Sequence, residues 1–218
     1  MDYTKLFDLF VKKHDGFQVW MEKPFLNEAD GNVWATDGAA AVIVAMDVAG
    51  LQYNKLDKKL QLPIELPTEK HLRIPSYKLL MAIDKCPKEE IMEEKKVECK
   101  ECDGEGTVLW EYDASTDNER YEHEYECPVC EGDGYTYEEV GSGKFEPARK
   151  SGVRIGDAVF SAWQLDRVHK AMALLDLDEL VISTEPHRSR ATIFRLGDIK
   201  VLQMPMYTDE QDKVIVDL

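Results

Sequence analysis

"LNEADGNVWATDGAAAVIVAMDV", residues 26–48, decides how the chain is built. Asp30-Gly31 is a turn dipeptide between two runs of strand-forming residues, so the stretch predicts a hairpin. The run "AAAVIVAM", residues 39–46, lacks polar alternation. It predicts a strand buried on both faces, and it is far too short to cross a bilayer.

Upstream, Tyr3, Leu6, Phe7, Phe10 and Val11 recur at helical spacing, with Lys5, Asp8 and Lys12 opposite. They predict a helix over 2–14, stopped near Gly16. "FQVW", residues 17–20, is expected to be a strand, and 50–70 a loop with short extended pieces. "HLRIPSYKLLMAIDKCP", residues 71–87, reads as a strand entering a helix. Ser76 is its expected cap, Leu79, Leu80 and Ile83 its inward face, and Pro87 its stop. Beyond residue 135, "DAVFSAWQ" reads as a strand, and Leu165, Val168, Met172 and Leu175 mark a helix. "LVIST", "ATIFRL" and "IKVLQMPM" follow as strands, with Gly197-Asp198 as a turn and a last dozen residues expected to fray. The order predicts an α+β chain with an internal echo of a βαβββ unit. The expected divisions are a core over 1–96, an insert over 97–134 and the remaining core over 135–218.

Charge separates the insert from the rest. Of a net charge of -16, residues 88–139 carry 19 acids against 5 bases, and the other residues 24 against 22. The acidic segment repels phosphate backbones; the rest need not. With 44% hydrophobic residues the chain can bury a core. Its first residues mix charges into apolar positions, so neither a secretory leader nor a membrane span is expected, and the location expected is cytoplasmic.

"CKECDGEG", residues 99–106, returns as "CPVCEGDG", residues 127–134. Two C-x-x-C pairs suit one tetrahedral site, with Cys99, Cys102, Cys127 and Cys130 as ligands of one ion. Zinc is the default for four thiolates; iron stays open on spacing alone. The trailing glycines let each turn aim backbone N–H groups at sulfur. All four positions are filled by protein sulfur, which predicts a structural site. Between the pairs, "TVLWEY" and "YEHEYE" predict a hairpin. Val108, Trp110 and Tyr112 share one face, opposite Tyr121, His123 and Tyr125. The acidic, aromatic surface suits a protein partner better than DNA, with Trp110 and Tyr112 as contacts; rings that only pack on each other are the alternative.

The repeated C-x-x-C-x-G-x-G form resembles the cysteine-rich zinc domain of DnaJ-type co-chaperones. That family carries four such repeats and two zinc ions; this chain has two repeats and lacks the His-Pro-Asp signature of the J domain. The resemblance implies one Zn2+, not co-chaperone activity.

Residues 26–48, "LRIPSYKLLMAIDKCPKEEI" (72–91) and "IKVLQMPMY" (199–207) are similar, in order, to segments of bacterial DNA polymerase sliding clamps. The resemblance implies DNA-clamp-like repeated βαβββ units, here with an inserted zinc-binding β-hairpin. It implies inner helices that offer bases to duplex DNA without reading sequence. Lys5, Lys12, Lys13, Arg167 and Lys170 are the residues that fit; a solvated polar face explains them too. It also implies that Met204 and Met206 border a groove for partner peptides, although a plain core strand is equally consistent with them. A bacterial clamp protomer is much longer, so encircling DNA would need a homo-oligomer.

The expected function is therefore a DNA-replication accessory protein with a structural zinc finger and replication proteins as partners. The alternative is a non-enzymatic interaction module whose acidic finger captures a protein. No nucleophile, phosphate-loop or zinc-protease motif appears, so no enzyme is expected.

Overall fold

In the computed structural model the described residues are 3–12, 18–50, 52–56, 60, 71–113, 120–183, 185–207 and 214–218. Lys13 and nearly all of the 57–70 stretch lie outside them, as do the side chains of Tyr112 and Tyr121. The chain forms two compact units, Met1–Glu89 with Pro147–Leu218, and Glu90–Glu146.

The first unit is α+β. Helix α1 (Tyr3–Asp8) precedes strands β1 (Phe25–Asn27), β2 (Asn32–Thr36) and β3 (Ala40–Ala45). A short helix α2 (Met46–Ala49), strand β4 (Asn54–Lys55), strand β5 (Leu72–Pro75) and helix α3 (Ser76–Asp84) complete the first part. After the second unit come β10 (Ser151–Ile155), β11 (Ala158–Ser161), α4 (Ala162–Leu174), β12 (Glu179–Ile182), β13 (Thr192–Leu196), β14 (Ile199–Gln203) and β15 (Val214–Asp217). Eight strands form one sheet in the order β4-β1-β2-β3-β14-β13-β12-β5, and β11-β10-β15 form another. The βαβββ echo holds in part: β11-α4-β12-β13-β14 is such a unit, α1-β1-β2-β3 matches its helix and three strands, and the last strands of the two pair antiparallel, Val42 opposite Val201.

That pairing explains the apolar run. β3 is central, so Val42 and Val44 face the main core while Ala41 and Ile43 join a second cluster with Phe25 and Trp34. The main core takes Leu6, Phe7 and Phe10 from the first segment, Leu79 and Ile83 from α3, and Leu165, Val168 and Met172 from α4. Each such side chain contributes about 1.5–3 kcal/mol of burial. The Asp30-Gly31 turn forms as expected: Gly31 has φ +69°, and Asp30 accepts the Trp34 indole N–H at 2.9 Å.

Several expectations are corrected. The first helix closes at Asp8 rather than running to 14. Val19–Met21 is a 3-10 turn, not a strand. Ser76 begins α3 without capping it, and Leu80 is exposed. Residues 214–217 do not fray: β15 pairs in parallel with β10, Ile215 opposite Gly152. Among the described residues, no helix is long and apolar enough to cross a membrane.

The second unit extends beyond 97–134 because long strands flank the cysteines. These are β6 (Lys88–Glu98) and β9 (Tyr135–Pro147), which pair with each other. Between them lie β7 (Thr107–Asp113) and β8 (Arg120–Glu126). β6 and β9 expose both faces over most of their length, so no apolar alternation marks them in sequence.

Candidate metal centre and neighbouring surfaces

Each C-x-x-C pair sits on a tight turn, and the two turns are built alike. Asp103 and Glu131 take positive φ of 48° and 53°, and Gly104, Gly106, Gly132 and Gly134 follow at positive φ. Cys99 N–H donates to Gly134 C=O at 3.0 Å, and Cys127 N–H donates to Gly106 C=O at 2.8 Å. Each turn thus closes on the last glycine of the other.

The glycines are required by space as well as by dihedral angle. A Cβ on Gly134 would lie 2.3 Å from Gly104 O, and one on Gly106 would lie 2.3 Å from Gly132 O. Both contacts are to backbone, which cannot move aside cheaply. The same two glycines donate N–H to sulfur, Gly106 to Cys102 Sγ and Gly134 to Cys130 Sγ, each at 3.2 Å. These bonds spread thiolate charge and orient the ligands.

The four sulfurs converge: all lie within 4.8 Å of one another. Cys99 and Cys127 are 3.8 Å apart and Cys102 and Cys130 3.7 Å apart, too far for a disulfide. Four sulfurs at about 2.3 Å from a tetrahedral ion would have edges of about 3.8 Å, so the donor set fits one divalent cation. The thiols differ in acid–base character. Burial pushes the Cys102 thiol up to about 12, against the opposing Gly106 N–H. Cys127 moves down to about 7: burial raises it, but the N–H groups of Cys130 and Val129 and the thiols of Cys130 and Cys99 outweigh burial. Four crowded thiolates need a cation to ionise together. An ion held by Cys99, Cys102, Cys127 and Cys130 would supply a cross-link, with every donor a protein sulfur.

Gly134→Ala is expected to weaken metal binding about 10–100-fold, the scale of lost outer-shell support. Gly143 is the control: its φ is +73°, yet nothing lies within 4 Å of an added Cβ. Gly143→Ala should leave metal affinity unchanged. Chelator competition on the two variants checks the contrast.

The cysteine cluster packs only Val108 beside it among the described residues. The hairpin register is the one alternation implies: Val108 opposite Tyr125, Trp110 opposite His123, Tyr112 opposite Tyr121. Trp110 and Tyr125 contact edge to face at 6.1 Å, yet are 60% and 55% exposed.

The other predicted residues are scattered over the first unit. Lys5 is exposed on α1, and Lys12 is half-buried beyond its end. Lys170 is exposed and pairs with Asp166 at 2.6 Å. Arg167 is a correction: only 7% exposed, its guanidinium donates to the Asp37 carboxylate and the Leu9 carbonyl. It holds α4 to two other segments and has no solvent face for phosphate. Lys78 and Lys85, on and just after α3, are also exposed, as their helical position away from Leu79 and Ile83 implies. Met204 and Met206 lie past the end of β14 rather than within a core strand. Met204 N–H donates to Ala39 C=O, and its side chain borders an apolar cavity of about 200 Å³ with Trp20, Trp34 and Leu202. Met206 borders a separate polar cavity of about 360 Å³ with Arg154, His187 and Arg188. Cys86 is buried, and burial raises its thiol pKa.

No protein-family model matches this chain, and no curated protein does. Solved structures of bacterial sliding clamps do resemble it loosely. The Helicobacter pylori beta clamp bound to a DNA ligase peptide has TM-score 0.41 and 10% identity, over 94% of this chain and 62% of that one. The Caulobacter crescentus beta sliding clamp has TM-score 0.43 and 12% identity, over 95% and 64%. The Bartonella birtlesii sliding clamp bound to griselimycin has TM-score 0.45 and 11% identity, over 93% and 63%. The chain spans less than two thirds of the length of these clamps.

Proposed function

We propose that this chain is a non-catalytic accessory protein of DNA replication whose second unit is folded around one zinc ion. The convergence of four thiols within 4.8 Å, each turn closed by the other's glycine, is the observation that carries the zinc-folded unit. The replication role rests on the clamp-like sequence segments and the doubled helix-and-strand halves of the first unit. The protein works by binding, with several copies assembling where duplex DNA is to be encircled.

Elemental analysis should find one zinc per chain in colourless protein; red protein with iron in its place would overturn zinc. Duplex contact runs through the exposed lysines Lys5, Lys78, Lys85 and Lys170 and is independent of sequence. If all four meet phosphates, log affinity should fall against log salt with a slope of about -3 to -4. Replacing all four by alanine should flatten that slope. Absence of duplex binding at low salt, in every assembly state, would remove the DNA role.

A second reading is favoured by the exposed rings of β7 and β8. The second unit recruits a protein partner through them.

A further inference from the structure

Trp110, His123 and Tyr125, with Pro128 from the second cysteine turn, line a cavity of about 410 Å³ whose other walls are Glu111 and Glu126. His123 and Tyr125 rings lie 5.8 Å apart, and Trp110 meets Tyr125 edge to face. Three rings therefore wall one small space, and Glu111 and Glu126, next in sequence to Trp110 and Tyr125, also line it. Residues 90–146 carry 19 acids against 5 bases, so the field around the space is strongly negative.

An aromatic wall attracts either apolar groups or cations, and the surrounding charge decides between them. An exposed apolar patch would gain from any hydrophobic partner. Here an approaching acidic or phosphorylated segment is repelled, and a basic one is drawn in. Nucleic-acid bases also stack on rings, but their backbone brings the wrong sign. A lysine or arginine side chain satisfies both features: its stem packs on the rings and its head lies near a ring face within the negative field of the unit. The chain already uses such pairs internally. Lys96 Nζ sits 3.1 Å from the centre of the Tyr135 ring, and Arg149 stacks 3.6 Å over Trp163.

The geometry points to this cavity as the seat for one lysine or arginine side chain of a basic partner peptide. The inference rests on the partner-recruiting reading and names the chemistry of the partner. The cysteine turns matter because Pro128, between Cys127 and Cys130, closes one wall; metal binding and peptide binding are thereby linked.

The test uses the full-length, zinc-loaded protein and a fluorescein-labelled ten-residue peptide rich in lysine and arginine. A matched peptide carrying glutamine at every basic position is the control. At 150 mM salt the basic peptide should bind and the glutamine peptide should not. Trp110→Leu and Tyr125→Leu keep apolar bulk and remove the ring faces; each should weaken binding tenfold or more with zinc content unchanged. Glu111→Gln should weaken it several-fold more than Glu139→Gln, which removes the same charge from a residue of β9 that does not line the cavity. Equal weakening by the two glutamine variants, or wild-type binding by both leucine variants, would reduce the effect to bulk charge and overturn the proposal. So would stronger binding of a ten-nucleotide single strand than of the peptide. Zinc content is read on every sample. Loss of metal in the wild type counts against the zinc-folded unit, whereas zinc-loaded protein that ignores the peptide counts against this seat alone.

Discussion

Cys127→Ser is expected to lower zinc affinity by more than the roughly hundredfold that outer-shell losses cost, and to unfold the turns and hairpin of the second unit. The reason is the poverty of that unit's interior. Among the described residues its buried cluster consists of the four cysteines with Val108 beside them, and the described parts of β6 to β9 otherwise expose most of their side chains. A two-stranded hairpin of this kind is marginal in water without another source of order. Structural zinc supplies apparent binding free energies of about 10–16 kcal/mol in small domains, ample to close the balance. Hydrogen exchange should show amides of 99–134 losing protection in the variant and in chelator-treated wild type. The main thermal transition of the first unit should stay in place, since its core contains none of these residues. Protection that persists across 99–134 without any bound ion would sink the claim that metal organises the unit.

Arg167→Ala is expected to destabilise the first unit by about 3–5 kcal/mol, the cost of breaking a buried ion pair from one side. Arg167 and Asp37 side chains are 9% and 14% exposed, and the pair lies among Phe10 and Trp163 rings. Asp37 has a second duty: its Oδ1 accepts the N–H groups of Ala39 and Ala40, each at 2.9 Å, and so shapes the turn into β3. Losing the guanidinium strands that carboxylate and frees the Leu9 carbonyl. For a unit of this size the fall in melting temperature should be about 6–20 °C. Lys170→Ala, which removes an exposed helix pair, should change stability by about 0.5 kcal/mol or less. Duplex affinity of the folded fraction should be untouched by Arg167→Ala and reduced by Lys170→Ala. The opposite pattern, an unchanged melting point with lost DNA binding, would return Arg167 to a phosphate-facing role.

The contrast between these two residues shows what one-dimensional reading can reach. Both sit on α4 three residues apart, and both look like polar-face bases. Lys170 does point outward, yet Arg167 lies beneath the chain that follows α1 and the turn after β2. No local pattern announces a partner 130 residues away. The same holds for β15, which is a strand because β10 lies alongside it, and for β6 and β9, whose polar sequences become strands by pairing with each other. Conversely, the Trp110–His123 register followed from alternation, because in a short hairpin turn length and pleat leave little choice.

The amino-acid order alone determined the four-cysteine cluster, the glycines behind it, the hairpin at Asp30-Gly31 and the separation of acid from near-neutral chain. Each of these depends on interactions within a few residues, where covalent geometry and side-chain period dominate. The tertiary structure alone decided the pairing of β3 with β14, the inward turn of Arg167 and the three-ring cavity beside Pro128. Those depend on which distant segments share a desolvated space, and burial there reverses the meaning of a charge.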